Sequence, residues 1–251
     1  MKIEYYKTYS SYLNRDMEFK VYGHSGVPML VFPCQDGRFF DYEDQGMINT
    51  ISSFIDSGRL QVFCVDSIDK ETWSANYLPN RERTEKQEAY YNYICEECVP
   101  MIFDINTNSN NGYRQKIYTN GCSMGASHAL NFCLRRPDIF AGCIALSGVY
   151  DMTYFFSDGY MDELLYANSP IAYINGMSND HYYVDMYRNQ NIIICVGQGA
   201  WEHPMIEDTT RMKELFGYKG INAWVDFWGF DVCHDWPWWK IQIVYFLDKI
   251  C

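Results

Sequence analysis

The stretch Thr119-Asn120-Gly121-Cys122-Ser123-Met124-Gly125 sets a serine between two glycines, after a β-rich run and before a helical one. A sharp strand-to-helix turn at that point would lift the Ser123 hydroxyl above a sheet. The glycines permit the crowded backbone, and the helix N-terminus favours developing negative charge. The G-x-S-x-G pattern alone is weak, since about one chain in ten of this length carries it by chance at average residue usage. What the pattern needs is partners. A serine hydroxyl is a poor nucleophile at neutral pH and requires a base within hydrogen-bonding reach, with an anionic group to orient that base.

The chain has five histidines. His24 lies in an early turn, His128 in the helix after the serine, His181 in an irregular segment and His203 in a late loop. His234 follows the last strand and precedes the last helix, which is where hydrolases of chain order Ser, acid, His carry their base. The acid is expected after the strand Asn191 to Val196. The loop Gly197-Gln198-Gly199-Ala200-Trp201-Glu202-His203-Pro204 offers Glu202 first. Glu207 and Asp208 are rivals that a helix dipole would equally explain, and Asp151, after the preceding strand, is another. Two backbone N–H groups should stabilise the oxyanion of a tetrahedral intermediate. One is that of Met124, and the other comes from the loop after the third strand, at Cys34-Gln35.

The elements that must hold these groups alternate. Ile3 to Thr8 and Met17 to Tyr22 read as an antiparallel start. Pro28 to Pro33, Leu60 to Val65, Lys116 to Thr119, Phe140 to Leu146, Asn191 to Val196 and Ala223 to Trp228 read as further strands, most of them continuously apolar. Helical patterns fall between them at about Tyr42 to Ser57, from about Thr84 with a disturbance at Pro100, Ala126 to Arg136 and Glu207 to Lys219. In the closing helix, Trp236 to Lys249, residues Trp236, Trp239, Ile243, Phe246 and Ile250 share one face, so Trp238 and Trp239 are read mainly as packing. This alternation predicts an α/β fold, a mostly parallel eight-stranded sheet with helices on both faces. Residues 1–251 are expected to form a single domain, with an irregular insertion at about 151–189 that belongs to a substrate-binding rim.

Bulk properties exclude several classes. A formal net charge of -12 with no run of Lys or Arg argues against a nucleic-acid partner. No segment approaches the roughly 20 apolar residues that span a bilayer, and the N-terminus lacks an export signal, so the expectation is a cytoplasmic protein without membrane attachment. Ten cysteines are accordingly read as reduced thiols. Cys95 and Cys98 form a C-x-x-C on a helical stretch with no second pair, and are read as a buried face rather than a metal or redox site.

Four segments together resemble one family: Gly121-Cys122-Ser123-Met124-Gly125, Arg136-Pro137-Asp138-Ile139-Phe140-Ala141-Gly142, Ala145-Leu146-Ser147-Gly148 and His234-Asp235-Trp236-Pro237-Trp238-Trp239. The chain is similar, from about Tyr9 to Leu247, to the esterase family of α/β-hydrolases that includes S-formylglutathione hydrolases, feruloyl and acetylxylan esterases, siderophore esterases and mycolyltransferases. The resemblance implies the α/β-hydrolase fold and a Ser/acid/His hydrolase without metal or cofactor, the serine falling on Ser123 and the histidine on His234. Two departures stand out. Ala126 occupies a position often held by a second glycine, and the loop Cys34-Gln35-Asp36-Gly37 lacks a Gly-Gly pair.

The function expected is hydrolysis of a small or carbohydrate-linked acyl ester through an acyl-enzyme, with a small-molecule ester as the partner. A thioesterase or acyltransferase with the same triad is the alternative, and a non-catalytic binding module the more distant one. Trp73, Tyr77, Tyr150, Tyr154 and Trp201 all follow strands, and ligands of open α/β sheets bind beyond the carboxyl ends of the strands. These five are candidates for a substrate pocket, against the reading that Trp73 and Trp201 brace the loops.

Overall fold

In the computed structural model, which describes residues 1–157 and 159–250, the strands are β1 (Ile3–Ser10), β2 (Arg15–Tyr22), β3 (Val27–Phe32), β4 (Leu60–Val65), β5 (Ile117–Cys122), β6 (Phe140–Leu146), β7 (Asn191–Val196) and β8 (Trp224–Phe227). They form one eight-stranded sheet in the order β1-β2-β4-β3-β5-β6-β7-β8. β2 runs antiparallel to both β1 and β4, and every other pairing is parallel. The central strands are buried nearly end to end, the pattern that sheets covered on both faces impose.

The two-residue period of a strand divides the core in two. Leu30 and Phe32 of β3, Phe63 and Val65 of β4, and Ile192 and Ile194 of β7 pack on one face. Met29 and Val31, Val62 and Cys64, and Ile193 and Cys195 pack on the other. The second face is covered by three short helices, α1 (Asp41–Asp44), α2 (Met47–Thr50) and α3 (Ser52–Asp56), and by a later long one. The sequence pattern suggested a single helix from Tyr42 to Ser57. Gly46 at φ +77° breaks it, since a left-handed residue cannot continue a right-handed turn.

The first face carries α4 (Asn80–Asn92), α5 (Val99–Ser109), α6 (Met124–Arg135), α8 (Pro170–Gly176), α9 (Tyr182–Tyr187) and α10 (His203–Lys219), while α7 (Glu163–Ala167) packs Leu165 in a separate cluster with Trp73, Met124 and Met152. The disturbance expected at Pro100 lies just ahead of it, as a π-helical turn over Tyr93–Cys98. Proline has no N–H for the carbonyl four residues back, and its ring crowds that carbonyl, so the preceding turn widens. Cys95 and Cys98 are buried in this turn, and burial pushes both thiols up to about 12. The segment after β6 is more ordered than its composition suggests, with a 3-10 turn at Met152–Phe155 followed by α7, α8 and α9.

The chain closes with α11 (Trp236–Ile250), whose buried residues Trp239, Ile243, Phe246 and Leu247 complete the second face. Among the described residues no helix is long and apolar enough to cross a membrane.

Candidate active site

Ser123 is the single residue between β5 and α6 and has φ 57°, ψ −125°. A non-glycine side chain is held there only when its surroundings over-determine it. They do so through two glycines. A Cβ on Gly121 would stand 2.3 Å from the Gly125 backbone, and one on Gly125 would stand 2.4 Å from the Phe32 carbonyl oxygen. The start of α6 is thus pressed against the ends of β5 and β3 with no room for a methyl group. The Ser123 N–H donates to Leu146 O on β6 at 2.9 Å, which fixes the corner laterally.

His234 approaches from the loop between β8 and α11. Its Nε2 lies 2.9 Å from Ser123 Oγ and its Nδ1 lies 3.2 Å from Glu202 Oε2. Glu202 is fully buried at the start of α10. A carboxylate only accepts, so Nδ1 carries the proton and Nε2 is left to accept from the serine hydroxyl. The two loops that bring these residues are bound to each other along their backbones. Gly199 N–H donates to Val232 O at 2.8 Å, His234 N–H to Ala200 O at 3.0 Å and Gln198 N–H to Gly229 O at 3.2 Å. Gly197 and Gly199 permit this approach, since a Cβ on either would lie within 3 Å of Val232 O.

The other acids have different partners. One oxygen of Asp208 accepts the N–H groups of Tyr150 at 2.7 Å and Asp151 at 2.8 Å. Burial raises its carboxyl although those bonds pull the other way. Asp151 caps the turn at Thr153 and pairs with Arg211 at 2.9 Å; burial opposes its charge, and the bonds from Thr153 and Arg211 outweigh it, so its carboxyl is lowered. Glu207 is exposed on α10, facing His203 at 3.6 Å. His128 points into the core, where its Nε2 meets Asp69 Oδ1 at 2.9 Å.

A hollow of about 400 Å³ opens over Ser123, lined among others by Gln35, Met124, Tyr154, Phe155, Trp201 and Met205. Met124 is the first residue of α6, so its N–H has no intrahelical acceptor. Gln35 also lines the hollow, its side chain bound to Ser74 Oγ at 2.7 Å. Cys34 does not line the hollow; its Sγ turns down onto Cys122 O at 3.4 Å.

Of the five aromatic candidates, Tyr154 and Trp201 reach the hollow and three do not. Trp73 is buried one layer below, against Met124, Met152 and Leu165, with Phe155 and Phe156 beside it. Tyr150 follows β6 but turns into the core and is fully buried. Tyr77 is 77 % exposed and lies off the hollow. Following a strand places a backbone near the sheet's upper edge, but the side chain's direction depends on the loop. Sequence reasoning also missed Ser147, whose hydroxyl reaches Glu202 Oε1 at 2.7 Å, and the bond from Trp239 Nε1 to Ser147 Oγ at 3.1 Å.

An antiparallel start, a parallel sheet in this order and a serine on a strained corner after β5 define the α/β-hydrolase fold. The chain belongs to the esterase family whose model, described as “Putative esterase”, matches residues 10–249. It is accordingly a carboxylic-ester hydrolase.

Among solved structures, a ferulic acid esterase superposes with a TM-score of 0.73 at 15% identity, covering 97% of this chain and 95% of that one. An S-formylglutathione hydrolase from Agrobacterium tumefaciens gives 0.70 at 15% identity over 98% and 93%. A fluorophosphonate-binding serine hydrolase of Staphylococcus aureus gives 0.66 at 15% identity over 99% and 97%. At such identities the likeness speaks for the fold. No curated protein matches by sequence.

Proposed function

We propose that this chain hydrolyses carboxylic esters through an acyl-enzyme on Ser123, with His234 as general base and acid and Glu202 as the group that orients it. The observation that carries the reading is the hydrogen-bonded line from Ser123 Oγ to His234 Nε2 at 2.9 Å and from His234 Nδ1 to Glu202 at 3.2 Å. As Ser123 Oγ attacks the ester carbonyl, its proton passes to Nε2, and the buried carboxylate stabilises the imidazolium without taking the proton. The carbonyl oxygen becomes an oxyanion within reach of the Gln35 and Met124 N–H groups. Collapse breaks the ester C–O bond, and the alcohol leaves with the proton from Nε2. Water, deprotonated by His234, then releases the acid and restores Ser123.

The substrate is a small or carbohydrate-linked acyl ester. The hollow suits a short acyl group, and Tyr154 and Trp201, exposed at its rim, offer flat faces to a ring beyond it. In the same proposal residues 1–251 act as one unit, with the segment 151–189 supplying rim. The protein works in the cytoplasm, a setting that keeps its buried thiols, Cys64, Cys95, Cys98 and Cys195 among them, reduced.

A fluorophosphonate probe tests the nucleophile. Wild-type protein should label with one probe per chain and Ser123→Ala should not; labelling that persists in folded Ser123→Ala sinks the assignment. His234→Ala should lower kcat by roughly three orders of magnitude or more, since triad members act as a unit. Glu202→Gln should be milder.

A further inference from the structure

A buried carboxylate is tolerated when its lone pairs are met. His234 Nδ1 meets one oxygen of Glu202, and the other oxygen receives the Ser147 hydroxyl at 2.7 Å. Ser147 Oγ in turn lies 3.1 Å from Trp239 Nε1. An indole N–H can only donate, and a hydroxyl has one hydrogen. The order is therefore fixed: Trp239 donates to Ser147, and the single Ser147 proton goes to Glu202. The same indole stands edge-on to the His234 ring, with centroids 4.9 Å apart and planes at 86°. It touches His234 directly and reaches Glu202 through Ser147.

The backbone of Ser147 adds an independent observation. The residue sits at φ +59°, where glycine would be comfortable and a side chain is strained, and its N–H is taken by Cys195 O at 2.7 Å. A side chain kept at such a position has work that a hydrogen atom could not do. The terminal torsion of a glutamate is broad, so one bond from His234 leaves the carboxylate plane free to swing. A second bond on the other oxygen stops it.

We propose that Ser147, its hydroxyl aimed by Trp239, is a positioning residue that fixes the rotation of the Glu202 carboxylate and through it the tilt of His234. This rests on the triad reading above. It is tested with p-nitrophenyl acetate, Ser123→Ala serving as the blank. Ser147→Ala and Ser147→Gly should each lower kcat roughly 10- to 100-fold, the worth of a hydrogen bond to a buried charge, with KM held within about twofold. Both should also weaken or erase the far-downfield Nδ1–H proton resonance of His234. Trp239→Phe keeps a ring against His234 and loses only the donor; kcat should fall about three- to tenfold, as for one neutral hydrogen bond.

Glycine is the discriminating variant, because it relieves the backbone while removing the hydroxyl. Wild-type kcat and an unchanged resonance in Ser147→Gly would overturn the proposal, and wild-type kcat in Trp239→Phe would overturn the aiming by the indole. Wild-type kcat in Glu202→Gln would instead overturn the triad reading from which both start.

Discussion

Glu202 and Asp208 are close in sequence and both buried, yet their oxygens keep different company. Those of Glu202 face a histidine and a hydroxyl, whereas Asp208 gathers the backbone N–H groups that hold the chain beyond β6. Removing Asp208 should therefore be a stability lesion. Asp208→Ala is expected to lose roughly 1–3 kcal/mol in urea unfolding, the cost of stranding buried donors, while turnover per folded molecule stays near wild type. A dead but fully stable Asp208→Ala would return it to the site. At this scale the sequence carried Ser123 through its flanking glycines and His234 through its place after the last strand. Glu202 could not be separated from Asp208, because both stand where an acid is expected and only the fold decides which turns toward the histidine. Ser147 and Trp239 were illegible as a pair, being 92 positions apart in the chain.

At the scale of elements, the contact of α6 with β3 is one of two close approaches that hold Ser123, the other being that of α6 with β5. Gly125→Ala would set a methyl group against two carbonyl oxygens, at 2.4 Å and 2.6 Å. Overpacking of this kind should cost about 3 kcal/mol or more and displace Ser123 from His234, so activity should fall even at temperatures where the protein is folded. A thermally and kinetically normal variant would contradict the close approach. The two tryptophans proposed together for the pocket separate here. Trp73→Ala should lower stability by about 3–5 kcal/mol, as for a large aromatic removed from a core. Trp201, 83 % exposed, should tolerate alanine with unchanged Tm and respond in KM. If Trp201→Ala keeps wild-type KM across an ester panel, the rim role fails. Strand positions were readable because continuous apolar runs admit few alternatives. Helix starts were less so, since α4 begins at Asn80 in a polar stretch that periodicity cannot mark, and α10 begins at His203, four residues ahead of the start expected at Glu207.

For the molecule as a whole, the charge of -12 sets a field that every substrate crosses. A second hollow adjoins the first through Val149, Tyr154, His203 and Pro204, and Asp151, Glu207 and Asp208 line it against Arg211. Neutral esters should be turned over with a higher kcat/KM than anionic analogues of equal leaving-group quality at low salt. The gap should narrow toward 0.5 M salt, where the screening length falls to a few ångströms, about 4 Å. A gap indifferent to salt would mean that shape rather than charge discriminates. Cys34 lies beside this chemistry without joining it. Burial, aided by Asp41 and Asp69, pushes its thiol up to about 12, so iodoacetamide at pH 8 should spare it in the folded protein and modify it after unfolding. The sheet and its covering helices were foreseeable from alternation alone, whereas the direction of each loop side chain above the sheet was not.

The loops that carry Glu202 and His234 are joined backbone to backbone, while Trp201 and Phe230, on those same loops, extend their rings into solvent. One pair of segments therefore has an inner surface that tolerates almost no variation and an outer one that touches little. Descendants of this chain can exchange those outward rings freely, drifting toward new esters without passing through an inactive ancestor. Selection for a new substrate should accordingly gather its first substitutions at Trp201 and Phe230 and leave Gly197, Gly199 and Val232 alone.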